Sequence, residues 1–153
     1  SVALLFGVPV AAANWIPMCQ GLLGQQDIRI PKIIVKGSPP VDLIFDQVLG
    51  SESLREAHTV QGFQRAGVAW RDNTVEEIRE LAIEMMDRLE GIAKYEPLDN
   101  QLQSRFQNLV ESKSTPETWG TMSRIGQHFL RAHAGMFEEE AAQKPRTRTK
   151  SLE

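Results

Sequence analysis

Cysteine is almost absent: Cys19 stands alone among 153 residues, so the chain cannot close an internal disulfide. A reducing compartment, and so a cytoplasmic location, is the default expectation. Long apolar runs are missing too. No stretch of about 18 residues is free of Gly, Pro or polar breaks, which predicts no transmembrane segment. Strong charge of one sign is also lacking. A net charge of −3 argues against a general nucleic-acid or membrane-surface binder. The common catalytic signatures are absent as well: no Gly-x-Gly-x-x-Gly, no Walker loop, no Gly-x-Ser-x-Gly and no His-Glu-x-x-His. His58 is isolated. His128 and His133 lie five apart, a spacing that does not put them on a common helix face, so no metal site is predicted. Cys19 has no partner His nearby in sequence and reads as a small packed residue.

What remains is an ordinary globular composition, 41% hydrophobic and 24% charged, in a chain long enough to bury a sizeable core. Residues 1–137 read as one partial domain and 138–153 as a charged tail expected to be disordered. In that tail Lys144, Arg146, Arg148 and Lys150 follow Glu138-Glu139-Glu140, which suits a solvated appendage.

The informative stretch is the start. Val2 to Phe6 is a short apolar segment and Gly7 suits a helix C-cap. Val8 to Ala13 then reads as a strand buried on both faces, opening into a polar loop at Asn14. In open α/β sheets, ligands bind at the carboxyl ends of the strands, so this loop is the candidate site. Asn14, Gln20, Gln25, Gln26, Asp27, Arg29 and Lys32 gather there in sequence. Arg29 and Lys32 can neutralise a diphosphate, while Asn14 and the Gln amides can bond hydroxyls. An ordered structural loop is the other reading of the same residues. Pro31 demotes the run from Asp27 to Val35 to an edge strand or extended loop.

Farther on, Lys36 to Pro40 is a turn, Leu43 to Leu49 a short helix, and Ser51 to His58 one or two helical turns at most. Phe63 to Trp70 reads as a turn followed by a short strand. Thr74 with Glu77 forms a capping box ahead of a helix over about Val75 to Glu90. The carboxylates Glu76, Glu77, Glu80 and Glu84 are accounted for by capping and the helix dipole. A second helix is predicted from Asn100 to Glu111. A third runs from Thr115 and Pro116 through Trp119, Met122, Ile125 and Phe129 toward Ala134.

Six pieces occur in one order: Leu5-Phe6-Gly7-Val8-Pro9-Val10, Asn14-Trp15-Ile16-Pro17, Asp27-Ile28-Arg29-Ile30-Pro31-Lys32, Phe45-Asp46-Gln47-Val48-Leu49, Ala66-Gly67-Val68, and Asp72-Asn73-Thr74-Val75-Glu76-Glu77-Ile78. Together they resemble the C-terminal region of a family of bacterial glycosyltransferases found with surface-polysaccharide biosynthesis genes. The resemblance covers Val2 to about Phe137. It implies an α/β fold: the C-terminal part of a Rossmann-like, GT-B type domain with short parallel strands and a helix-rich C-terminal half. It also implies a nucleotide-sugar donor as substrate, a glycan acceptor, no further cofactor and no metal. Donor or acceptor contact passes to Asn14, Asp27, Arg29 and Lys32; a catalytic group is not identified. The family's N-terminal domain and its phosphate-binding turn would precede Ser1, so the chain is expected to be the C-terminal part of a longer protein and inactive alone. A nucleotide-sugar epimerase of the same fold, or a non-catalytic fragment acting as an interaction module, are the alternatives.

Overall fold

The computed structural model describes residues 2–22, 24–55, 57, 59–113 and 123–137. The chain opens on helix α1 (Val2–Leu5), closed as the sequence suggests: Gly7 takes φ +63° and Val8 N–H reaches back to Ala3 O at 3.0 Å. That six-to-one bond with a glycine in the left-handed region is a Schellman closure. Strand β1 (Ala11–Trp15) follows, three residues later than the apolar run suggests. It is half-buried rather than buried on both faces, because it forms the edge of its sheet.

The segment read as an edge strand or extended loop because of Pro31 is instead the central strand. Strand β2 (Ile28–Pro31) is fully buried and pairs in parallel with β1 on one side and with β6 (Arg124–Ile125) on the other. Proline is tolerated because it is the last residue of the strand: the next ladder bond to β1 is donated by Lys32 N–H to Trp15 O, and no N–H is needed from Pro31. Past Lys32 the chain enters a second, antiparallel sheet, in which β3 (Ile33–Lys36) lies between β4 (Val41–Asp42) and β5 (Ala69–Arg71).

Helices α2 (Phe45–Gly50) and α3 (Glu52–Arg55) match the short helical turns expected there. Helix α4 (Val60–Arg65), capped by Thr59, overlaps the start of the segment read as turn and strand, and the turn at Ala66–Gly67 and the short strand after it, β5, stand as expected. Helix α5 (Val75–Leu89) carries the predicted capping box, and α6 (Pro97–Lys113) extends the predicted second helix at both ends. The expected third helix starts on residues 115–122, outside those described. Within the described residues its middle is strand β6, and only α7 (Gln127–Ala132) and a 3-10 turn (Ala134–Phe137) are helical. Pairing decides this: Arg124 N–H donates to Asp27 O and Gly126 N–H to Arg29 O, so the sheet overrides a helical pattern in the local sequence. The charged tail, 138–153, lies outside the described residues.

The fold is therefore mixed α/β, with a small parallel sheet and helices. Its core spans both sheets and the helices. Ile28, Ile30, Ile33 and Leu81 are buried, and Phe45 packs edge-on to Phe106 and Phe137 with ring centroids 5.4 and 4.8 Å away. Among the described residues no helix is long and apolar enough to cross a membrane.

Candidate functional site

The three parallel strands end on one edge of the sheet, and two of the four candidate residues meet there. Asn14, near the end of β1, is held at φ +54°, a left-handed conformation that Asn tolerates better than most residues. Asn73, just before α5, fixes it with a reciprocal pair of bonds: Asn14 N–H donates to Asn73 Oδ1 (2.6 Å), and Asn73 N–H donates to Asn14 Oδ1 (2.7 Å). Asn73 Nδ2 also donates to Pro31 O at 2.9 Å, tying the last residue of β2 into the same knot. Lys32 follows directly. Its ammonium forms an ion pair with Asp72 and sits 5.5 Å from the Trp70 ring centroid. This edge thus presents an amide, an ammonium and an aromatic face on a rigid frame. Asn14 Nδ2 has no partner among the described residues.

Helix α5 begins beside this cluster, but its first turn is already satisfied. Glu77 Oε2 accepts from Thr74 N–H (2.7 Å) and Thr74 Oγ donates to it, so the free N–H groups that attract anions are partly used. The other oxygen of Glu77 lies 2.6 Å from His133 Nε2. Burial pushes the Glu77 carboxyl up, yet the bonds from His133 and Thr74 prevail and hold it below the ordinary glutamate range. The capping role read from sequence is the one Glu77 performs. Glu84 departs from it. This carboxylate is buried, accepts from Gln127 N–H (2.7 Å) and Tyr95 O–H (3.0 Å), and burial raises its pKa. Dipole compensation in the first turn does not describe Glu84; it joins α5 to the start of α7.

The other two candidates sit elsewhere. Asp27 precedes β2 at the opposite edge of the sheet and braces the loop there, accepting from Val10 N–H (2.8 Å) and Gly24 N–H (3.0 Å). Gly24 is required for that approach, since a Cβ at this position would stand 2.6 Å from the carboxylate. Arg29 lies mid-strand in β2, 1% exposed, and points away from the α5 face that Ile30 meets. Its Nη1 donates to Ser123 O (3.0 Å) and Ser123 Oγ (2.5 Å). Burial lowers its pKa to about 10. The structure therefore brings Asn14 and Lys32 together and places Asp27 and Arg29 apart from them.

Sequence reasoning missed Asp72, Asn73 and Trp70, the residues that set the carboxyl edge. Asp72 and Asn73 carry a signal, because they immediately precede the capping box of a helix expected to follow a strand. Cys19 is buried, as its sequence context suggests, and burial pushes its thiol pKa up. Among the described residues no cluster of His, Cys, Asp and Glu can hold a metal ion. No protein-family model matches the chain, nor does any curated protein or solved structure.

Proposed function

We propose that the chain is the C-terminal, donor-binding portion of a glycosyltransferase that moves a sugar from a nucleotide-sugar to a surface glycan. The observation that carries this reading is the meeting of Asn14 and Lys32 at the carboxyl edge of a small parallel sheet. A Rossmann-like, GT-B type domain places its donor at such an edge. On this reading Lys32 leaves Asp72 to neutralise the departing diphosphate, and Trp70 supplies a flat apolar wall beside it. Asn14 Nδ2 donates to a hydroxyl of the donor, its own backbone held still by Asn73. Asp27 and Arg29 act behind this surface by fixing the loop and strand that present it. Catalysis then rests on charge neutralisation and positioning.

Calorimetric titration of the chain with UDP, GDP and ADP, beside Lys32→Ala, tests this. One nucleotide is expected to bind, and the substitution to weaken it by about tenfold or more, the size expected for loss of a charge-assisted contact. A folded chain that binds none of the three defeats the reading.

The second reading, a non-catalytic interaction module, is favoured by apolar exposure. Val2, Leu5 and Phe6 on and after α1, and Val75, Ile78, Met86 and Leu89 along one side of α5, all face solvent. Light scattering over a concentration series addresses it: concentration-dependent association without nucleotide binding supports the module and not the transferase.

A further inference from the structure

Arg29 is out of keeping with the rest of the interior. Buried guanidinium groups are ordinarily matched by a carboxylate, because the desolvation cost of a lone charge is large. Arg29 is 1% exposed, and no carboxylate lies within ion-pair distance of it among the described residues. Its Nη1 alone is bonded, to Ser123. Nε is buried with no hydrogen-bond partner, and Nη2 has none among the described residues. The Nε–Nη2 edge is the side of a guanidinium that grips two oxygens of one oxyanion.

Among the described residues the titratable neighbour of Arg29 is a thiol, Cys19, rather than a carboxylate in ion-pair reach. Cys19 Sγ sits 3.8 Å from Arg55 O, and the guanidiniums of both Arg29 and Arg55 act on this thiol, pulling its pKa down against burial. Among the described residues Arg55 has no ion pair; its Nη1 donates to Leu49 O at 3.0 Å. Ser123 is locked in place by donating and accepting partners, with Leu22 N–H bonded to its Oγ and its own N–H bonded to Leu22 O. Arg124 has the other orphaned guanidinium nitrogen, but its head lies 4.1 Å from the Tyr95 ring centroid and reaches Asn100, so its charge is accommodated. Arg29 has no such outlet.

We infer that Arg29 is the seat of a buried oxyanion site, which takes a phosphate or phosphoryl group on its Nε–Nη2 edge. The site lies on the sheet face opposite α5, and it stands on the unpaired guanidinium whether or not Lys32 contacts a nucleotide.

Titration of the full chain with inorganic phosphate, followed by melting temperature and calorimetry, tests the site in wild type, Arg29→Met, Arg29→Lys and Lys32→Ala. Saturating phosphate is expected to raise the melting temperature by about 3 °C or more through binding to the folded state alone. Lys32→Ala keeps that shift, Arg29→Lys weakens it, and Arg29→Met loses all but the general salting effect of the anion. A parallel titration with UDP separates the sources. If UDP displaces phosphate, the site takes the phosphoryl end of a nucleotide; if it does not, the site takes the free ion. Absence of a shift in folded wild type overturns the inference, as does an equal shift in Arg29→Met. Should Arg29→Met not fold, the wild type and Lys32→Ala decide between them: a shift abolished by Lys32→Ala puts the anion at the surface and overturns the buried site.

Discussion

The two faces of the parallel sheet handle buried charge in opposite ways. On the face covered by α5 and α7, and in the adjoining α6, every buried carboxylate is matched. Glu77 faces Thr74 and His133, and Glu84 faces Tyr95 and the backbone of Gln127. Asp99 takes a two-pronged grip from Arg131, at 2.5 and 2.6 Å, and accepts from Glu96 N–H at 2.7 Å. On the opposite face Arg29 has a serine and, among the described residues, no anion. Matched groups join helices to one another and contribute to stability. An unmatched one is a cost that the rest of the core must offset, and such costs concentrate where a ligand completes the arrangement.

The comparison breaks most sharply at Asp99. Asp99→Ala removes the two-pronged partner of Arg131, leaving it Glu96 at 3.7 Å, and removes the cap on Glu96 N–H, all from a side chain with no exposure. Loss of about 3 kcal/mol is expected in urea unfolding, near the lower limit for breaking a buried pair because Arg131 can still reach water. The pH dependence has a definite sign. The Arg131 fork holds the Asp99 carboxyl below the ordinary aspartate range, with burial opposing. Its stabilisation is therefore complete above the unfolded pKa and is lost as pH falls through the depressed folded value. A wild type whose acid-side loss matches that of Asp99→Ala would show that this pair is not a source of stability.

How much of this could be read from the chain depended on distance in sequence. The Gly7 closure and the Thr74–Glu77 box are contacts within a few residues, and both were legible. The central position of β2 was not, since its partner β6 arrives from the far end of the chain and Pro31 argued against a central strand on local grounds. The same holds for the candidate site. Asn14 was legible because it follows the apolar run of a strand, and Lys32 because it is a cation a short way along the chain, whereas Asn73 is 59 residues from Asn14. Ser123, which defines the surroundings of Arg29, is 94 residues away. One signal was present and underused. Glu77 and Glu84 share a helical face with Leu81 and Met85, and two carboxylates on an apolar stripe mark buried bonding rather than dipole compensation.

Arg29→Met sharpens the other side of the comparison. Without added anion the substitution removes two bonds to Ser123 but also removes an unmatched buried charge. These oppose one another, and the net change is expected to stay within about 1 kcal/mol, far below that of Asp99→Ala. Urea unfolding in a phosphate-free buffer measures it. A loss as large as that at Asp99 would mean that Ser123 alone balances the guanidinium, and the contrast between the two faces would vanish.

The smallest effect belongs to Glu84→Gln. Gln127 N–H and Tyr95 O–H bond different oxygens of Glu84. Glutamine keeps one oxygen for Gln127 N–H and sets its NH2 against the Tyr95 hydroxyl, which can turn to accept, so stability at pH 7 should change by about 0.5–1 kcal/mol. The informative quantity is the slope with pH. Burial raises the Glu84 pKa, so the folded chain holds its proton to higher pH than the unfolded chain does. Between the ordinary glutamate value and the raised one, that group makes stability fall as pH rises, opposite in sign to Asp99. Glu84→Gln should therefore unfold with a less negative pH slope across that window than wild type. An unchanged slope would mean that its bonds to Gln127 and Tyr95, with Arg88 and Arg124 nearby, fully compensate its burial, and Glu84 would then belong with Asp99 among the matched carboxylates without qualification.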